Sequence, residues 1–469
     1  MTDKLFIKDT DNKGKAVIGL VPLYLKLYDD ADPQFRKPML PLIQKIKDTL
    51  EANGVKVVVS DVVTTHAGAR EMARLFDHED VDAVFTCHLT YSPSLLSSFQ
   101  LGRTRKPLFI LDTTPDRSFE KMADSFLMNN HGIHGVMDLT SVLTADAISY
   151  TVLAGHCDSP AFEEKIKNAL VLVRAIKEFK GQRIGITGKP FAMMGDFSVP
   201  FNKLESMYGI KVVNIPEREI LESMTSVSES EVTEEAAKEK TKAVVEKTAA
   251  RDYPDSVRVY LALKKIVSGK KLSAYTMNFL DFSSMAVPFY AVNRLMADGL
   301  GYAGEGDVLT ASLGRAMNAL SGRAMFSEFF CPDWKRGLIL MSHMGEIDPR
   351  FAVRGSKIVL KAKKALMNPE QSLYHRFSVN PGKTTFVNIS KTKEKGFKLV
   401  TGILSIVKNR LYDVLDCPQF VVRPDLKLEN FLETYAEAGG GHHIYLAAGD
   451  RTKEIAGFGR HLGMKVVHI

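Results

Sequence analysis

Cysteine is scarce and scattered. The 469-residue chain has four, Cys87, Cys157, Cys331 and Cys417, and none stands in a C-x-x-C pair, so spacing indicates neither a zinc knuckle nor a redox dithiol. Long apolar runs are missing as well. None approaches the eighteen or so residues that span a bilayer, and the opening MTDKLFIKDTDNKGKAVIGL lacks the uninterrupted apolar segment of a signal peptide. Basic tracts are also absent. The net charge of +7 comes from 62 Lys and Arg dispersed among 55 acids, with no aromatic-interleaved basic repeat, which argues against a nucleic-acid partner. There is no internal repeat. What remains is an ordinary composition, 45% hydrophobic and 25% charged, expected of a reduced, cytoplasmic, globular protein with no membrane segment.

The length exceeds one hydrophobic core. Apolar runs AVIGLVPLYL (16–25), VKVVVSDVV (55–63), VDAVFTCHL (81–89) and KPLFILDTT (106–114) alternate with amphipathic stretches such as 38–54 and 67–76. That alternation predicts a parallel sheet covered by helices. It restarts after the helical stretch 160–181 with RIGITG (183–188), KVVNI (211–215) and KLSAYTMNF (271–279). The charged stretch 226–251 reads as a solvated helix flanking a mobile connection, and 285–299 reads as a further helix. From about 323, short strands with turn signals dominate (336–343, 356–364, 384–392, 397–407), which suggests a barrel. The expectation is an α/β protein: two Rossmann- or flavodoxin-like domains (1–181 and 182–322) followed by a β-rich, barrel-like domain (323–469).

GLGYAGEGD (299–307) matches G-x-G-x-x-G, yet a dinucleotide loop needs a strand before its glycines. Here a helical pattern precedes them, and Glu305 would repel a pyrophosphate. Gly299 and Gly301 read better as a helix stop and tight turn, with Asp307 capping a helix over 307–322. A carboxylate held among glycines calls for a positive partner. Glu328, an acid embedded in AMFSEFF (324–330), invites one too. His343 ends the apolar run GLILMSH, and His442 and His443 follow three glycines in EAGGGHHIYLA (437–447). Two carboxylates and one or two histidines suit a divalent ion such as Mn²⁺, Mg²⁺ or Co²⁺.

Taken together, NRLMADGLGYAGEGD (293–307), FSEFF (326–330), LMSHM (340–344) and AGGGHH (438–443) resemble the L-arabinose isomerase family, within the wider group that includes L-fucose isomerase. The resemblance implies metal ligation by Glu305, Glu328, His343 and His443, with His442 beside them. It implies that Met344 and Phe279 line a sugar pocket, and that His134, in NNHGIHG (129–135), is lent across a subunit interface. Toward the N-terminus, Leu27 and Tyr28 are kept, Leu25 stands where the family has a polar Gln, Tyr91 holds an aromatic pocket position, and Phe191 replaces a usual Met.

The function this implies is metal-dependent aldose–ketose isomerisation of an unphosphorylated sugar, L-arabinose to L-ribulose in type. A cis-enediolate would be its intermediate, and Glu305 and Glu328 would share the acid/base work. The expected partners are a small sugar and further copies of the chain, as a hexamer or trimer-based oligomer with sites at the subunit interfaces. Mn²⁺ is the expected ion, Co²⁺ or Mg²⁺ the substitutes. Rival readings are the same chemistry on L-fucose, D-galactose or D-arabinose, a sugar-acid or polyol dehydrogenase using the sheet domain for NAD, and a non-catalytic sugar-binding protein with a vestigial metal site.

Overall fold

A computed structural model describes residues 14–120, 126–365, 368, 370–394, 396–408, 411–412 and 414–469. Two compact units emerge: residues 14–177 with 460–463, and residues 178–459 with 464–469.

The first unit is built on five strands, β1 (Val17–Leu23), β2 (Lys56–Val59), β3 (Ala83–His88), β4 (Leu108–Asp112) and β5 (Tyr150–Ala154). They run in the order β2-β1-β3-β4-β5, with every pairing parallel. This is the flavodoxin order. Parallel strands need crossover connections, which the helices Leu40–Ala52, His66–His78, Ser98–Arg103 and Gly132–Ala145 supply. The apolar runs are continuous rather than alternating because helices bury both faces; all six residues of β3 are buried.

The second unit opens with β6 (Arg183–Thr187), β7 (Lys211–Asn214), β8 (Ala243–Val245), β9 (Ala274–Met277) and β10 (Gly301–Gly304). Four of these make a parallel sheet, β10-β9-β6-β7. The same unit then forms β11 (Ala324–Asp333), β12 (Leu338–Ser342), β13 (Ile358–Lys364), β14 (Gln371–Arg376), β15 (Gly382–Lys391), β16 (Phe397–Val407), β17 (Gln419–Pro424), β18 (His443–Ala448) and β19 (Lys465–His468). Strands β15-β18-β11-β12-β17-β16 pair antiparallel in that order, and β16 returns to β15, closing a six-stranded barrel. β19 adds to β16 in parallel. Met325, Phe386, Val400, Leu404, Val422, Ile444 and Leu446, none more than 1% exposed, fill the barrel core. The α/β fold with two parallel sheets and a barrel is thus as the sequence led us to expect.

Three local expectations are corrected. The charged stretch 226–251 is more than a solvated helix. Glu229–Lys240 is helical behind a Ser228/Glu231 capping box, but Glu239 on it is buried, and β8 then pairs in parallel with β13. Ion pairs drive that burial: Arg294 meets Glu235 at 2.5 Å and Glu239 at 2.6 Å. Gly301–Gly304 is a strand, not a turn, because Gly301 lets the chain pass against the Ala311 carbonyl, 2.7 Å from where a Cβ would sit. The helix over 307–322 is two pieces, Val308–Ala311 and Leu313–Ser321. Among the described residues, no helix is long and apolar enough to cross a membrane.

Candidate metal centre

Glu305 occupies a backbone conformation that few side chains accept. Its φ of 60° is left-handed, a region costly for a residue with a Cβ. The turn is pinned by Gly306 N donating to Met277 O (3.1 Å) and Phe191 N donating to Glu305 O (2.8 Å). Its glycines admit neighbours. A Cβ on Gly304 would lie 2.4 Å from His343 Cε1, and one on Gly306 would lie 2.7 Å from Pro190 Cα. Asp307 Oδ1 then accepts Thr310 N at 2.8 Å, capping the next helix.

The barrel supplies the remaining groups from three adjacent strands. Glu328 on β11 pairs in register with Ser342 of β12 on one side and His443 of β18 on the other. His343 is the residue after β12.

Each of the two buried histidines has a carboxylate on Nδ1. His343 Nδ1 contacts Glu346 Oε2 at 2.9 Å, and His443 Nδ1 contacts Asp307 Oδ2 at 3.0 Å. The two carboxylates engage Nδ1 of each ring and leave the two Nε2 atoms turned inward. Those Nε2 atoms face each other at 3.3 Å. Two ring nitrogens that close need a proton or a metal cation between them. Glu305 Oε2 is buried beside them without a hydrogen-bond partner among the described residues, 3.7 Å from His443 Nε2 and 3.5 Å from His442 Nε2. Ligand atoms of Glu305, His343 and His443 lie within 4.8 Å of one another, as do those of Glu328, His442 and His443. Mixed imidazole and carboxylate donors of this kind fit a divalent cation.

Aromatic rings hold the donors. Phe326 stands edge-on to both His343 and His443, with centroids 4.8 and 4.9 Å away, and Phe197 stacks on His443 at 5.3 Å. Glu346 is itself fixed by Tyr302 OH (2.9 Å) and Gly345 N (2.8 Å).

Electrostatics divide the two glutamates. Burial alone would raise the Glu305 carboxyl, but the His442 contact and the charges of His343, His443 and His442 outweigh it and hold the group below its ordinary range. Burial dominates at Glu328 and raises it, against the pull of His343 and His442. Desolvation opposes the charged form of His343, yet Glu346 lifts that ring to about 9. Burial and the neighbouring histidines push His443 well down.

The other expected residues fall into two places. Phe191, whose N donates to Glu305 O, has its ring 5.9 Å from that of Phe279, and Met344 follows His343, its carbonyl taking a hydrogen bond from Lys363 Nζ. His442 is tied to Asp196, Nδ1 to Oδ2 at 2.6 Å. Leu27, Tyr91 and His134 belong to the other compact unit. There Leu27 is exposed, Tyr91 OH donates to Asp138 at 3.2 Å, and the His134 ring meets His131 edge-on. Sequence reasoning missed Glu346 and Asp196, and saw in Asp307 only the helix cap. It missed His131 too, which joins Tyr28 OH (3.1 Å) and Thr90 Oγ1 (2.9 Å). Only the H-x-x-E spacing of His343 and Glu346 offered a local signal.

Comparison with known proteins decides the family. Residues 202–323 match the L-arabinose isomerase central domain and 323–465 the L-arabinose isomerase C-terminal domain, an unbroken match over more than half the chain. The chain belongs to the L-arabinose isomerase family. L-arabinose isomerase of Levilactobacillus brevis is 25% identical over 90% of this chain and 92% of its own length. The enzymes of that name from Lactiplantibacillus plantarum (25%; 90% and 92%) and Geobacillus thermodenitrificans (24%; 88% and 86%) are similar along nearly their whole lengths. The protein is therefore a sugar isomerase interconverting aldose and ketose, and the Glu305, His343 and His443 cluster of this isomerase is compatible with a metal cofactor.

Proposed function

We propose that the isomerase converts an unphosphorylated aldose of the L-arabinose type to its 2-ketose, using Mn²⁺ (or Co²⁺ or Mg²⁺) held by Glu305, Glu328, His343 and His443. The observation that carries this is the pair of imidazole Nε2 atoms 3.3 Å apart, with a buried Glu305 oxygen 3.7 Å from one of them. When bound, a divalent ion supplies Lewis acidity to the sugar's carbonyl and hydroxyl oxygens and so acidifies the adjacent C–H.

The chain's own residues then move protons. The C2 proton of the aldose leaves to a carboxylate, giving a cis-enediolate, and is returned to C1, while the O2 proton passes to O1. A carboxyl that both takes and returns a proton works best with its pKa drawn toward neutrality. Burial does this at Glu328, whereas Glu305 stays ionised; the two share the acid/base work. Phe326 and Phe197 exclude water from the histidines, and Phe191 and Phe279 form an apolar wall.

Glu305→Gln and Glu328→Gln proteins should keep their circular dichroism and lose roughly 100- to 10,000-fold in ketose formation. Turnover of either variant near that of the parent protein would remove that glutamate from the reaction. Deuterium on the product carbon after wild-type turnover in D₂O, taken up while the proton rests on the carboxyl, would argue against a hydride shift.

Two apolar positions favour a second reading, the same chemistry on L-fucose, D-galactose or D-arabinose. Leu25 offers no hydrogen bond where the resemblance implies a Gln that contacts the sugar, and Phe191 puts a ring where a Met is usual. A panel of unphosphorylated aldoses separates the readings by kcat/KM.

The isomerase is further proposed to be a cytoplasmic homo-oligomer, hexameric or trimer-based, with sites shared between subunits. Unpaired cysteines suit a reducing compartment. The 14–177 unit exposes Leu27, Leu95, Phe99, Phe119, Leu127 and Met137, apolar side chains that a subunit interface would cover. Light scattering should return the mass of a trimer or a multiple of it; a 52.1 kDa monomer would contradict this.

A further inference from the structure

Three histidines, not two, carry a carboxylate on Nδ1 in this site. His343 has Glu346 and His443 has Asp307, and both rings are 2% exposed or less. The third, His442, has Asp196, and its side chain keeps 35% of its surface open. The difference in exposure separates their tasks. The closed pair presents nitrogens to each other, while the open ring presents Nε2 toward Glu305 Oε2, 3.5 Å away, from the side that solvent reaches.

The grip on His442 is built from both sides. Asp196 Oδ2 accepts from the His442 backbone N (3.1 Å) as well as from Nδ1 (2.6 Å), so main chain and ring are fixed by one carboxylate. The close approach depends on the glycine run before the histidines: a Cβ on Gly441 would stand 3.0 Å from Asp196 Oδ2 and 3.0 Å from Asn388 Nδ2. Asp196 sits on the segment between β6 and the helix Phe201–Tyr208. That segment is held by Lys391 Nζ donating to the carbonyls of Gly195 (2.6 Å) and Ser198 (2.9 Å). The next residue, Phe197, stacks on His443. One short segment thus braces a ring of the metal set and aims the neighbouring ring.

We infer that Asp196 is a positioning residue: by engaging Nδ1 of His442 it leaves Nε2 as the one ring atom able to meet a hydroxyl of the bound sugar, outside the set that holds the ion. This rests on the proposed isomerase reading. It adds to that reading a residue from the loop after β6, a residue that binds neither ion nor sugar, and assigns the hydroxyl contact to His442.

The test uses full-length protein labelled with ¹⁵N-histidine, with the His442 signals assigned by their loss in His442→Gln. In metal-free wild type, Nδ1 of His442 should carry a proton held on Asp196, and Asp196→Ala, which removes the acceptor, should change that signal. Mn²⁺ affinity by calorimetry should stay within about threefold in Asp196→Ala, while kcat/KM for whichever aldose the wild type converts falls about 10- to 100-fold. Asp196→Asn and Asp196→Glu, which keep an acceptor oxygen, should recover part of that loss. A His442 whose Nδ1 is bare in wild type overturns the inference. So does an Asp196→Ala protein that loses Mn²⁺ binding, which would place His442 among the ligands, or one with unchanged kcat/KM. If no aldose yields ketose with the wild type, the isomerase reading fails on its own, and the ¹⁵N signals still report on the Asp196–His442 pair.

Discussion

A carboxylate bound to Nδ1 decides what each histidine of the site can offer, and Asp307 shows how much one side chain can carry. Its Oδ1 caps the helix Val308–Ala311 and its Oδ2 fixes the His443 tautomer. Burial raises this carboxyl to about 7 against the hydrogen bonds from Thr310. Asp307→Asn keeps the cap's acceptor but can turn an N–H toward His443 Nδ1, which forces the proton onto Nε2. The expected result is a roughly 10- to 100-fold loss of Mn²⁺ affinity, read by calorimetry, with the fold intact. Affinity equal to that of wild type would detach Asp307 from the metal set. Gly304 matters for a simpler reason, since any Cβ there would meet the His343 ring.

At the level of elements, β3 carries a liability that pH exposes. His88, its last residue, is 2% exposed, and neither ring nitrogen has a hydrogen-bond partner among the described residues. Gly132 and Gly135 let the helix Gly132–Ala145 lie directly on it. Burial lowers this imidazole from 6.5 to about 4, slightly countered by Asp138. The unfolded chain therefore binds the proton more readily, and stability falls as pH drops below about 6.5, levelling near 4. A shift of this size corresponds to roughly 3 kcal/mol. Urea unfolding between pH 7 and 4 should show this slope, and His88→Gln should flatten it; an identical slope in the variant would refute the assignment.

Elements also show what the sequence made legible. β1, β3 and β4 declare themselves as apolar runs because both faces are buried. β8 did not, since Ala243–Val245 follows a twelve-residue helix with seven charged side chains and gains its place only through pairing with β13. β10 hid inside a glycine motif, where a strand of GYAG offers one large apolar side chain. The site divides likewise. Glu305, Glu328, His343 and His443 could be singled out because the resemblance to the L-arabinose isomerase family rests on short local segments in order. Asp196 could not, because 246 residues separate it from His442 and only the folded barrel brings them together.

At the scale of the whole molecule, the chain combines two parallel sheets and a closed barrel, and the barrel's β18-β11-β12 order, with the Glu305 turn at the end of β10, assembles the donors. The central claim is that these donors hold a divalent ion on which sugar isomerisation depends. The most direct measurement strips the protein with a chelator, then follows ketose formation from L-arabinose and the other aldoses while Mn²⁺ is returned and bound metal is counted. Activity should vanish on stripping and recover in proportion to about one ion bound per chain. Full turnover in stripped protein with no metal bound would contradict the account.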